Sequence, residues 1–143
     1  MTGETDLEIL LQSLSAELTE DVFVFATLPD GAMPRGIHPR MMFQETEGTT
    51  IVLTRQEATE RDITFEFPCR MITLNIHSSL DAVGFIAVIA AELAKHGMGV
   101  NPVSAFYHDH LFVPEDRKDD AMKILEGIAE KARLRKGPAM NGG

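Results

Sequence analysis

The chain has 143 residues, 44% of them apolar, and a formal net charge of −9 at neutral pH. That length favours one domain, or two small subdomains sharing a core. The acidic balance excludes nucleic-acid binding, which needs clustered Lys and Arg, and it gives no attraction to anionic membranes.

The N-terminal MTGETDLEIL carries acids and no basic stretch, unlike a signal peptide. No apolar run approaches the roughly 20 residues needed to span a bilayer, so the expected location is cytoplasmic. Residues 6–18 place Leu7, Leu10, Leu11, Leu14 and Leu18 at helical spacing, with Thr5 and Glu8 as a capping pair. VFVFATL (22–28) is β-branched and aromatic and stops at Pro29, as a strand buried on both faces does. Three prolines and two glycines then make 29–40 a loop. It carries Arg35, His38 and Arg40, which read either as solvated loop residues or as a lid offering cations to a carboxylate ligand. Residues 41–54 read as a hairpin turning at Glu47-Gly48, 55–62 as a short polar helix and 63–67 (ITFEF) as a short strand. Cys69 is the only cysteine, which excludes an intramolecular disulfide. Its apolar setting marks a buried structural thiol.

The second half is more regular. RMITLNIH (70–77) alternates as a strand. Residues 78–97 form the strongest helical pattern, opening on Ser78 and Asp81 and closing on Gly97. Residues 100–114 hold two strand-like runs around a polar centre, Tyr107-His108-Asp109-His110. Residues 115–132 form an amphipathic helix with Met122, Leu125, Ile128 and Ala129 inward, and the basic cluster Lys131, Arg133, Arg135 and Lys136 suits a solvated helix end. The last residues should fray. This half reads β-α-β-β-α, with both helices on one face of an antiparallel sheet. Residues 50–54 (TIVLT) echo 110–114 (HLFVP) 60 residues later, each after a turn and before a charged helix, as in a degenerate repeat.

Three stretches resemble an ACT domain. Asp81-Ala82-Val83-Gly84 resembles the D-x-P-G that opens the first ACT helix, with Val83 in place of proline. LAKHGMGV (93–100) resembles L-A-x-x-G-I-N-I, with Gly99 in place of asparagine. SAFYHDHLFV (104–113) is similar to the S-T-Y-x-T-D-Y-x-L-V run of the subgroup containing aspartokinase-like and arginine-sensing tandem ACT proteins. The likeness covers 70–132 well and 20–68 loosely.

The resemblance implies an α+β fold of two ferredoxin-like (βαββαβ, ACT-type) subdomains, each with an antiparallel sheet covered on one face by helices. The expected organisation is a degenerate or permuted ACT-like subdomain over 1–68, an ACT domain over 69–134 and a flexible tail over 135–143. The first half has a loop where the pattern expects a helix, and the 6–18 helix is expected to fill that place. A final strand after the 115–132 helix is missing, to be supplied by ITFEF or by a partner chain.

The resemblance further implies a non-catalytic regulatory or sensor protein, cytoplasmic and homodimeric, with no cofactor. Its ligand would be an amino acid or similar small metabolite at an ACT-domain interface. By position the contacts would be His77, Ser78, Ser79, Leu80, Asp81, Val83 and Gly84 on the loop before the helix, and Asn101, Pro102 and Val103 on the next strand. The residue chemistry agrees, since helix N-terminal N–H groups suit a carboxylate, Asp81 suits an ammonium and Gly84 admits close approach. Ser78 and Asp81 equally suit helix capping alone. Two other readings compete. One is an interaction subunit with no ligand. The other is a metal site on His108 and His110 with Asp109, His77 or His38, for which no third ligand has a recognisable spacing.

Overall fold

The computed structural model describes residues 6–76 and 81–141. The elements are α1 (Leu7–Gln12), β1 (Ala16–Leu28), β2 (Met41–Gln44), β3 (Thr49–Thr54), α2 (Arg55–Glu60), β4 (Glu66–Leu74), α3 (Phe85–Lys95), β5 (Asn101–Ser104), β6 (Asp109–Pro114), a 3-10 turn (Glu115–Arg117) and α4 (Lys118–Asn141). The strand order is β2-β3-β1-β4-β6-β5. The chain divides into two compact units, one of residues 20–70 and one of residues 1–19 with 71–143.

In the 20–70 unit, β1 pairs antiparallel with β3 (Val24 opposite Leu53) and β3 with β2 (Met41 opposite Val52). Glu45 and Gly48 exchange backbone hydrogen bonds across the hairpin turn. Gly48 is required there. Its φ is +156°, and a Cβ would sit 2.9 Å from Thr27 Oγ1 and 3.0 Å from the Leu28 carbonyl oxygen. Thr54 opens α2 with a full capping box: its hydroxyl accepts from the Glu57 N–H and Glu57 Oε1 accepts from the Thr54 N–H. Val24, Ala26, Leu28, Ile51 and Leu53 form the sheet's core face, closed by Ala58 of α2 and Ile37 of the loop, with Ile63 and Phe65 packed against them. This is strand, loop, hairpin, helix, strand: a ferredoxin-like unit whose first helix is replaced by the 29–40 loop, with Ile37 as its buried anchor. The sequence suggests strands over 63–67 and 70–77, but a single strand runs from Glu66 to Leu74. Phe67, at φ +58°, bends the chain ahead of Pro68.

In the other unit α1 does not fill the vacant helical place of the first half. Leu10, Leu11 and Leu14 instead pack with Phe85, Ile89 and Leu93 of α3 and with Leu125 and Ala129 of α4, over Ile72, Leu74, Leu111 and Val113 of the sheet. Its cap is Asp6, which accepts from the N–H groups of Glu8 and Ile9; the expected capping residue Thr5 lies outside the described residues. The helix ends at Gln12, and β1 begins at Ala16. The missing final strand is the opening stretch of β1, not ITFEF. The Thr19 hydroxyl donates to the Met71 carbonyl and the Asn75 N–H to the Ser15 carbonyl, which lays the start of β1 along the end of β4. The strand positions of this unit are therefore β1-β4-β6-β5, with the last ferredoxin strand supplied from the N-terminus. β3 and β6, the two segments of the internal echo, occupy equivalent third-strand positions. α4 runs on to Asn141, beyond the expected end. Arg133 Nε donates to the Gln12 carbonyl and Arg135 pairs with Glu8, which ties that turn to α1.

Candidate ligand-binding site

The 78–97 helix begins later than its apolar period suggests, at Phe85. Gly84 is the N-cap, at φ +88°, a left-handed conformation that glycine adopts without steric cost. It has no side chain to cap the first turn, so the leading N–H groups of α3 meet no capping side chain. Asp81 is exposed three residues earlier, and Val83 is 83% exposed. His77, Ser78, Ser79 and Leu80 lie outside the described residues, and with them the expected Ser78 cap.

β5 and β6 form a hairpin closed by the Ala105 N–H donating to the His108 carbonyl. The turn is 105–108, and Asp109, in the polar centre read from the sequence, starts β6, buried, opposite Ser104. At the tip Phe106 and Tyr107 stack edge to face, 4.9 Å between centroids, and both are about three-fifths exposed. His110 pairs with Val103 across the hairpin, and on its other side its Nδ1 lies 3.0 Å from Thr73 Oγ1. That link puts the hairpin tip at the end of the sheet where β4 leaves towards α3. Val103 is level with Thr73. Pro102 and Asn101, opposite Leu111 and Phe112, step away from that end by about 3.3 Å per residue. Asp81, Val83 and Gly84 precede α3, and the Gly84 Cα faces Leu7 of α1. Asn101, Pro102 and Val103 run along an edge strand, with Asn101 and Pro102 exposed.

The expected lid residues belong to the 20–70 unit, where the backbone of Arg35 and His38 and both the backbone and side chain of Arg40 are held. The Arg35 carbonyl accepts from the Arg61 guanidinium, and the His38 N–H donates to Glu57 Oε2 at 3.0 Å. Arg40 sits over the Phe23 ring, 5.1 Å from its centroid, and its N–H donates to the Val52 carbonyl. Partial burial pushes the Glu57 carboxyl up. The N–H groups of His38 and Thr54 and the Thr54 hydroxyl outweigh it, so its pKa falls below the usual carboxylate value.

His108 and His110 have ring centroids 6.4 Å apart. Among the described residues no three His, Cys, Asp or Glu side chains gather as a metal would need. Cys69 is buried, its thiol donates to the Phe23 carbonyl at 3.3 Å, and burial pushes its pKa up to about 12, so it is no nucleophile near neutral pH. Sequence reasoning missed Thr73. Its pairing with His110 depends on strand register, which no local pattern of the chain encodes.

A family model described as ACT domain matches residues 2–70, and a second model with the same description matches 66–127. A Vibrio cholerae protein of unknown function, labelled "Possible Transport Protein", is 36% identical over 86% of this chain and 95% of its own, with a TM-score of 0.77. An Agrobacterium tumefaciens protein is 17% identical over 81% of this chain and 89% of its own, with a TM-score of 0.70. The regulatory subunit of aspartate kinase from Thermus flavus is 10% identical over 90% of this chain and 99% of its own, with a TM-score of 0.59. No curated protein matches the chain. Among the described residues no helix is long and apolar enough to cross a membrane.

Proposed function

Because the chain belongs to the ACT-domain family, carrying two such domains in tandem, we propose that it is a non-catalytic regulatory protein. Its ligand is a small molecule, an amino acid in particular, held where the chain enters α3. The observation that carries this reading is Gly84, a left-handed N-cap with no capping side chain, following the exposed carboxylate of Asp81. Uncapped N–H groups at the helix start suit an α-carboxylate, and Asp81 suits an α-ammonium through charge-assisted bonds. His77, Ser78, Ser79 and Leu80 complete the loop in this proposal, with Val83 beside them. Asn101, Pro102 and Val103 of β5 line the edge that a second copy meets in a cytoplasmic homodimer. The likeness to an aspartate kinase regulatory subunit supports the regulatory reading.

Thermal unfolding in the presence of each of the twenty amino acids tests it. A ligand at 100 times its Kd stabilises by about 2.7 kcal/mol. One or a few amino acids should raise the Tm, and Asp81→Asn should cancel the rise while the circular dichroism stays unchanged. A flat response to all twenty sinks the proposal. It would favour a ligand-free interaction subunit, the reading suggested by Met42 and Phe43, 54% and 65% exposed on edge strand β2.

A further inference from the structure

A groove of about 310 Å³ lies between α3 and α4, away from Gly84 and towards the C-terminal end of α3. That volume is at the lower end of the range for small-molecule sites. Its floor is apolar: Leu11 of α1, Val88 of α3 and Ile124 and Ile128 of α4. Its depth comes from Gly127, in mid-helix, where a Cβ would meet nothing within 4 Å. Its rim carries three cations in a chain of net charge −9, Lys123, Lys131 and Arg135, with His96 beside them.

The one lining carboxylate, Glu92, is already paired with Lys95 at 2.9 Å. The hydrogen bond and charge of Lys95 hold its carboxyl below the usual range, and the charges of Lys131 and His96 add to this. Arg135 reaches Glu8 at 3.4 Å. Lys123 and Lys131 make no ion pair among the described residues. Two ammonium groups with no ion pair among the described residues, one of them close enough for its charge to act on Glu92, stand above an aliphatic trough and match an anionic head on a hydrocarbon body.

We propose that this groove is a second binding site, separate from the loop before α3, for a free monocarboxylate with an apolar tail. The tail would lie in the trough beside Gly127, and the carboxylate would meet Lys123 and Lys131. A straight-chain fatty acid and a branched 2-oxo acid share this chemistry, and the two arms of the test separate them.

The test is calorimetric titration of the full chain with octanoate and, separately, with 4-methyl-2-oxopentanoate, using octan-1-ol as the uncharged control. At least one carboxylate should bind saturably at one per chain, and octan-1-ol should bind about tenfold more weakly or not at all. Reversing Lys123 and Lys131 to Glu together should weaken binding about tenfold or more. Gly127→Leu fills the trough without a steric clash at its Cβ, so it should abolish binding in a chain that still folds. This variant keeps the test decisive if the double reversal unfolds. No binding by either carboxylate overturns the proposal, as does undiminished binding by Gly127→Leu. Binding only to vesicles of anionic lipid also overturns it. Because Asp81 takes no part, octanoate binding should survive Asp81→Asn, so this site and the one before α3 stand or fall separately.

Discussion

Gly127→Ala should stabilise the protein, and the size of the gain follows from its setting. Gly127 lies inside α4, outside the set of glycines with positive φ, and a Cβ there enters open space. Nothing opposes the intrinsic helical preference for Ala over Gly, worth about 0.8–1.0 kcal/mol. Much of that gain acts by restricting the unfolded chain rather than by adding contacts. An unfolding entropy of roughly 2.1 cal/mol/K per residue over 143 residues is about 0.3 kcal/mol/K, which converts the gain to a Tm rise of about 3 °C. Thermal melts followed by circular dichroism, with urea unfolding as a cross-check, would read it. A Tm equal to or below that of the parent chain would refute the reasoning, because it would mean that the Gly127 backbone or its surroundings are not those described. A stabilising substitution at a position occupied by glycine is also what a groove maintained for a ligand predicts.

Gly48→Ala should act in the opposite direction. Its Cβ would press on Thr27 Oγ1 and the Leu28 carbonyl at a backbone angle reserved for glycine, so a loss of about 1–3 kcal/mol is expected in urea unfolding. Cys69, with its pKa raised to about 12, should react with a thiol reagent at mildly alkaline pH only as fast as the chain unfolds, and rapid labelling of the folded protein would contradict its burial. Glu57 has a folded pKa below its unfolded value, so the stability it contributes is fully present above the unfolded value and is lost as pH falls through the lowered folded one. Glu57→Gln should therefore flatten the acid limb of a stability–pH profile; an unchanged limb would show that the contacts to His38 and Thr54 do not hold in solution.

The elements that the sequence makes legible are those stabilised by local chemistry. The hairpin turn at Glu47-Gly48, the short polar helix after it and the apolar faces of α3 and α4 rest on interactions between residues a few positions apart, and each is legible as a spacing; the Thr54 capping box that opens α2 is equally local but was not read from the sequence. The ACT resemblance was legible because it lies in short segments, 81–84, 93–100 and 104–113. The start of α3 was misplaced because the apolar period continues upstream of Gly84, whose left-handed conformation stops the helix. On the candidate site, the sequence showed the residue chemistry of Asp81 and Gly84 but not the late start of α3 or the Thr73–His110 link.

What the sequence by itself determined was composition, the order of most elements and their amphipathic faces, because hydrophobic periodicity and turn chemistry are encoded along the chain. Only the tertiary structure decided that the start of β1 serves as the last strand beside β4, and that α1 packs in the core of α3 and α4. It alone put Lys123 and Lys131 above an apolar trough opened by Gly127. These depend on pairing and packing between segments more than 30 residues apart, and the free energy that selects among such pairings comes from burial of the whole core, which no local stretch of sequence carries.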